Sequence, residues 1–134
     1  MTALSSEVYM LVLTTVFTSL LWAPHILQRI IEMKPYAAFR DPGHDVPTQA
    51  AWARRNIRAH TNAVENLVIF ATLVIVLEMT GANSALTGSA ATIYFISRVA
   101  HVIVYILAVP WLRTPIYLLG FGCQMIIAMT ILTT

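Results

Sequence analysis

Two sets of polar side chains interrupt an otherwise aliphatic chain. Arg54, Arg58, Asn62 and Glu65 follow one another at intervals of four, four and three residues; Tyr94, Arg98, His101 and Tyr105 follow at four, three and four. On a helix each set makes a single stripe. The residue types suit recognition of a small charged molecule. Arginines offer forked donors for carboxylates. Asn62 can donate and accept, Glu65 can hold an ammonium group, and the Tyr105 hydroxyl can donate to an anion. The ligand these groups suggest is a small polar zwitterion with an additional carboxylate. Its partner would be a lipid-soluble molecule entering sideways through a bilayer.

The elements that carry these stripes are membrane spans. Of the 134 residues, 58% are hydrophobic and only 10% charged, against about 25% charged in ordinary soluble domains. Hydropathy gives four long apolar runs, at residues 8–31, 57–79, 90–110 and 115–132. Backbone in hydrocarbon must satisfy its own hydrogen bonds, so the expected fold class is all-α integral membrane: one four-transmembrane-helix bundle over residues 1–134. The expected helices are about 7–33, 48–79, 88–110 and 114–133. The first run starts after Glu7 without a basic leader and is too long for the core of a cleaved signal, so it is read as a retained helix.

Charge placement predicts the topology. Arg29, Lys34, Arg40, Arg54, Arg55 and Arg58 lie at or between the ends of helices 1 and 2, Arg113 lies between helices 3 and 4, and residues 80–89 carry no charge. The positive-inside rule then puts the 1–2 and 3–4 links in the cytoplasm and both termini outside. The short chain, without targeting or retention signals, fits a bacterial inner membrane. Pro35, Pro42, Gly43 and Pro47 read as breakers of a long first link, with Asp45 or Thr48 as the cap of helix 2. Trp22, Tyr36, Trp52, Trp111 and Tyr117 fall near span ends, as an interfacial aromatic belt does.

Charged groups at membrane depth cost several kcal/mol unless partnered, so they face a bundle interior. At about 1.5 Å per residue, Arg98 lies roughly 12 Å and Glu65 roughly 21 Å from the outer side. An Arg98–Glu65 ion pair is one reading, and it does no more than neutralise two costly charges. It leaves Arg58, Asn62, His101 and Tyr105, which would line a cavity opening to the cytoplasm beside Arg54, Arg55 and Arg113. His25 and His60 read as local or intersubunit polar contacts, and His44 as loop surface. With a single cysteine, Cys123, there is no intrachain disulfide, and no metal-ligand spacing occurs. Gly120 and Gly122 read as close-packing positions. A net charge of +2 says little about nucleic acid, because the basic residues are not on a free soluble face, and no nucleic-acid partner is expected.

The segments RAHTNAVEN (residues 58–66), RVAHVIVY (98–105) and RTP (113–115) resemble the membrane-associated proteins in eicosanoid and glutathione metabolism, the MAPEG superfamily, and its microsomal glutathione transferases in particular. The resemblance runs over nearly the whole chain. It implies a homotrimer with glutathione as co-substrate, held between subunits in a polar cavity facing the cytoplasm. It implies Arg58, Asn62, Glu65, Arg98, His101 and Tyr105 as the glutathione-binding residues. The activity implied is a membrane-bound glutathione transferase or peroxidase acting on hydrophobic electrophiles. Arg113 and Tyr105 are then the candidate catalytic residues, since a placed cation favours the nucleophilic thiolate. The chain departs from the eicosanoid-forming members one turn after Arg113, where they carry an arginine and this chain has Tyr117. It also has a longer link after Tyr105, and Lys34 is the nearest counterpart of their helix 1 arginine. A non-catalytic lipid- or glutathione-binding protein of the same fold is the alternative. A small four-helix drug exporter needs a carboxylate inside helix 1, which has only Glu7 at its edge.

Overall fold

The computed structural model describes residues 4–40 and 48–134, and no strand occurs among them. Six helices follow in order: α1 (Ser6–Leu20), α2 (Trp22–Met33), α3 (Pro35–Arg40), α4 (Ala51–Thr80), α5 (Ala85–Ile106) and α6 (Arg113–Leu132). Four stretches are long and apolar enough to cross a membrane, with α1 and α2 together forming the first, Ser6–Met33. The protein is thus a multi-pass, four-span helical membrane protein.

The expected first helix, 7–33, is interrupted at Leu21. Pro24 is the cause, because it has no N–H for the Leu20 carbonyl and its ring crowds that turn. The Asn56 side chain, from α4, donates 3.1 Å to the Leu21 carbonyl and ties the break to the bundle. Helical order breaks before Pro35 as expected, α2 ending at Met33, but Pro35 also starts a new helix. It opens α3, a position where its fixed φ suits a helix start. The chain turns just before it at Lys34, whose φ is 65°. The expected breakers Pro42, Gly43 and Pro47, with His44 and Asp45, lie outside the described residues.

Thr48 does not cap α4 as expected. Ala50 holds the cap position and provides no side-chain bond. Glu32 at the end of α2 supplies the acceptors instead, taking the amides of Gln49 (3.3 Å) and Ala50 (3.2 Å) and the Thr48 hydroxyl (2.8 Å). α4 closes at Gly81, whose left-handed φ of 67° ends the helix without Cβ strain. α5 starts three residues earlier than expected, because Ser84 and Thr87 form a reciprocal capping box.

α5 packs against α1, α4 and α6 and forms the middle of the bundle. One apolar cluster gathers Phe70, Val74, Leu77, Tyr94, Cys123 and Ile127; a second gathers Leu21, Ala59, Ala63 and Val102. At one end Glu7, 2% exposed, accepts from Thr87 and Ser6 and joins α1 to α5. Leu20, Val68, Ile75, Met79, Ile96 and Leu119 point outward, as side chains against lipid tails do.

Candidate functional site

The stripe on α4 lies along the edge of that helix's buried face. Ala53, Asn56, Ala59, Ala63 and Asn66 face inward. One position over, Asn62 is half-buried, while Arg58 and Glu65 are exposed. Arg54 folds back to the Thr48 and Gln49 carbonyls at 2.8 and 2.9 Å, away from the cavity it was expected to flank.

The stripe on α5 is the more deeply buried. Arg98 is 2% exposed and His101 4%. The Arg98 guanidinium enters the α5–α6 seam. There it donates 3.2 Å to the Tyr117 carbonyl and lies 5.4 and 5.2 Å from the Tyr94 and Tyr117 ring centroids. Its Nε and Nη1 are buried without a partner. Gly120 makes this position possible: a Cβ there would collide with the Arg98 guanidinium and approach Ser97 Oγ at 2.8 Å. Gly122 does not pack closely as expected, having open space where a Cβ would stand. The Arg98–Glu65 ion pair does not form. Arg98 is turned toward α6, whereas Glu65 is on the outer surface of α4.

A chamber of 260 Å³ lies where α4, α5 and α6 converge, lined by Asn62, His101, Tyr105, Arg113, Thr114 and Tyr117. Its aromatic walls are set by ring contacts: His101 is 5.7 Å from Tyr105 and 6.0 Å from Tyr117 between centroids. The Arg113 guanidinium lies over the Tyr105 ring at 5.1 Å. A second cavity, of 620 Å³, adjoins it and shares Tyr105, Arg113 and Thr114. Arg55 and Arg58 add two further cations to this second cavity, and Val104, Val109, Pro110 and Trp111 give it an apolar wall. Neither lining includes an acidic residue, so the combined space is electropositive.

Of the expected site residues, Asn62, His101, Tyr105 and Arg113 line the chamber, and Arg58, Tyr105 and Arg113 line the cavity that adjoins it. Arg98 stands behind the chamber wall, stacked on Tyr117, and Glu65 faces outward. Tyr117, expected in the interfacial belt, is a chamber wall. Sequence reasoning missed Thr114 as a lining group and Gln124 as a support. Gln124 Nε2 and the Tyr94 hydroxyl both donate to the Asn66 carbonyl, at 3.2 and 3.1 Å, and the Asn66 amide donates 2.9 Å to the Asn62 carbonyl. This buried network holds the turn of α4 that presents Asn62. A lone glutamine in an apolar span was the available signal. A separate polar contact joins α2 to α4: the His25 and His60 rings are 5.9 Å apart, with buried nitrogens of Arg29 and the Asn56 Oδ1 left unpartnered. No cluster of three or more metal-ligating side chains occurs among the described residues.

No curated protein matches the chain. A family model described as the MAPEG family matches residues 8–133, nearly its whole length, and on that match the chain belongs to the MAPEG family.

Proposed function

We propose that the protein holds glutathione in these adjoining cavities as a membrane-bound glutathione transferase, whose thiolate bonds to a hydrophobic electrophile as a leaving group departs, or as a peroxidase, in which two glutathiones become the disulfide while a lipid hydroperoxide becomes the alcohol and water. One observation carries the reading. Groups on three helices face the 260 Å³ chamber with hydrogen-bonding capacity unused among the described residues: the Tyr105 and Tyr117 hydroxyls, Arg113, and the buried Asn62 Oδ1. Buried polar groups are satisfied in folded proteins, so the buried, unpartnered Asn62 Oδ1 marks the chamber as suited to a polar occupant, to which the half-buried tyrosines and the exposed Arg113 offer donors. A tripeptide with two carboxylates and an ammonium group matches this mixture of donors and acceptors. Arg113 would stabilise the thiolate, the thiol proton leaving to water. Tyr105, beneath that guanidinium, would donate to the same anion.

Arg58 and Glu65 extend this reading to a neighbouring subunit. Both are glutathione-binding candidates, yet both are exposed on one protomer. A homotrimer that buries them would complete the site between copies. The crowding of Lys and Arg around the α2–α4 and α5–α6 links supports a cytoplasmic mouth, with both termini outside. The test is a thermal melt of the detergent-purified protein with glutathione. The melting temperature should rise in millimolar glutathione, and Arg58→Ala or Glu65→Ala should remove the rise. A wild-type melt indifferent to glutathione would end the proposal.

Tyr117 favours a second reading, a binder without chemistry, because it stands where eicosanoid-forming members carry arginine. A glutathione-dependent melt with no ultraviolet thiolate absorbance on binding, and no turnover of aryl halides or lipid hydroperoxides, would select it.

A further inference from the structure

We propose that the elbow between α2 and α3 is a docking site for the headgroup of an anionic diacyl phospholipid, which holds α3 against the membrane surface. The site shares no lining residue with the two cavities above. The inference goes beyond the glutathione reading and does not rest on it.

The short helix α3 needs a partner from outside the chain. It has six residues and none is buried. A helix of that length is unstable alone in water, and most helices gain their stability by packing one face. Only Ala37 and Ala38 are half-buried, while Tyr36 and Phe39 are turned outward, Phe39 to 82% exposure. Three residues apart, those two rings share a side of the helix. The first span ends at Met33 and α3 begins at Pro35, so α3 lies at headgroup level. Exposed aromatic rings at that level are stabilised by the bilayer interface.

The elbow itself is strained. Lys34, between the two helices, has φ 65° and ψ 150°, a conformation that L side chains seldom take. Its carbonyl accepts the Ala38 amide at 3.1 Å, which starts α3 directly at the end of the span. Such strain persists where function needs the shape.

The elbow holds a groove of 600 Å³ lined by Met33, Tyr36, Ala37 and Arg40. Met33 and Ala37 give an apolar side for the first carbons of acyl chains. The Tyr36 hydroxyl and the Arg40 guanidinium give donors for a phosphate, which guanidinium groups bind through paired bonds. Neither Lys34 nor Arg40 has a hydrogen bond or ion pair among the described residues. Glu32, two residues before Lys34, is engaged instead by Gln28, Thr48, Gln49 and Ala50. Asp41 and Asp45 lie outside the described residues, but from residue 34 to 58 five Lys or Arg stand against those two acids, so the link stays positive. Basic residues beside a span favour anionic over zwitterionic headgroups.

The experiment places the full chain, without glutathione, in phosphatidylcholine nanodiscs. Phe39→Trp, outside the groove lining, supplies the reporter, and its added emission is read as the difference from the native protein. Phosphatidylglycerol or phosphatidylcholine with dibrominated acyl chains is then titrated in as quencher. The anionic lipid should reach half-maximal quenching at the lower mole fraction, by about fivefold for each of the two cations. In the reporter background, Arg40→Gln should cost about fivefold of that preference, and Arg40→Gln with Lys34→Gln should make the two lipids equal. Both cations are exposed, so these variants keep the fold. Arg54→Gln, whose guanidinium is taken up by the Thr48 and Gln49 carbonyls, should change nothing. Raising salt from about 0.1 to about 1 M, which shortens the screening length from about 10 to about 3 Å, should shrink the preference. Equal quenching by the two lipids, a preference undiminished by Arg40→Gln, or no quenching by either, as for an elbow covered by protein, would overturn the proposal. With glutathione absent and its cavities untouched by the substitutions, failure here is separable from failure of the glutathione reading.

Discussion

Arg98 shows how one side chain shapes the site from behind it. A guanidinium buried to 2% exposure, with two nitrogens unpartnered, is costly in a bundle interior. What it gains is the Tyr117 carbonyl and two tyrosine faces. Those contacts set Tyr117 against the chamber, so Arg98 acts as a positioning residue. Gly120 is the complement that admits it. Gly120→Ala should therefore destabilise the protein by about 1–3 kcal/mol, the usual range for overpacking. Most of that loss should vanish in an Arg98→Ala background, leaving only the part due to Ser97, which also crowds the new Cβ. A double-mutant cycle on melting curves measures the difference, and additive losses would show that the glycine serves something other than the arginine. The sequence made Arg98 conspicuous because charge inside a span is rare. Its partner was not legible, because a depth argument ranks residues along the membrane normal and says nothing of which neighbour a helix face meets. Glu65 was at a suitable depth on the wrong side.

At the scale of elements, hydropathy marks spans well and their ends poorly. The four runs correspond to the four spans, because lipid demands long, continuous apolar helix and leaves few alternatives. Breaks and caps depend on contacts between segments distant in sequence. Glu32 accepts the amides of Gln49 and Ala50 across the first link, a long-range cap that no local capping pattern contains. Its removal should loosen the start of α4 and, through it, Arg54 and Arg55. Glu32→Gln should speed amide exchange over residues 49–54 and lower the melting temperature, while exchange near Ser84, capped within its own segment, should not change. Equal protection in both proteins would mean that the cap carries no weight. Pro24 was visible in the sequence, but its consequence, a break at Leu21 sealed by Asn56, needed the neighbouring helix.

At the scale of the molecule, the protomer leaves charge where a membrane protein cannot afford it. Arg58 and Glu65 are exposed within the Ala51–Thr80 span, flanked by outward Ile57, Val64 and Val68. Ionised side chains facing lipid tails cost several kcal/mol, and bundles normally turn them inward. The fold cannot do so here, because the inward face of α4 is already filled by Ala59, Ala63 and Asn66 against its neighbours. Copies of the chain meeting along this edge of α4 would remove both charges from lipid without repacking any protomer. They would also bring Glu65 toward the cavity rims of Arg55, Arg58 and Arg113, where it relieves an electropositive lining. The expected outcome is an assembly of three chains, seen by native mass spectrometry as three times the 14.9 kDa chain mass after gentle detergent release. Charge should decide its persistence: Glu65→Arg should release monomers by adding a like charge to the rim, and Arg58→Glu combined with Glu65→Arg should restore the assembly. A native protein that stays monomeric at every detergent concentration, or a Glu65→Arg variant that assembles normally, would leave the two exposed charges unexplained by association.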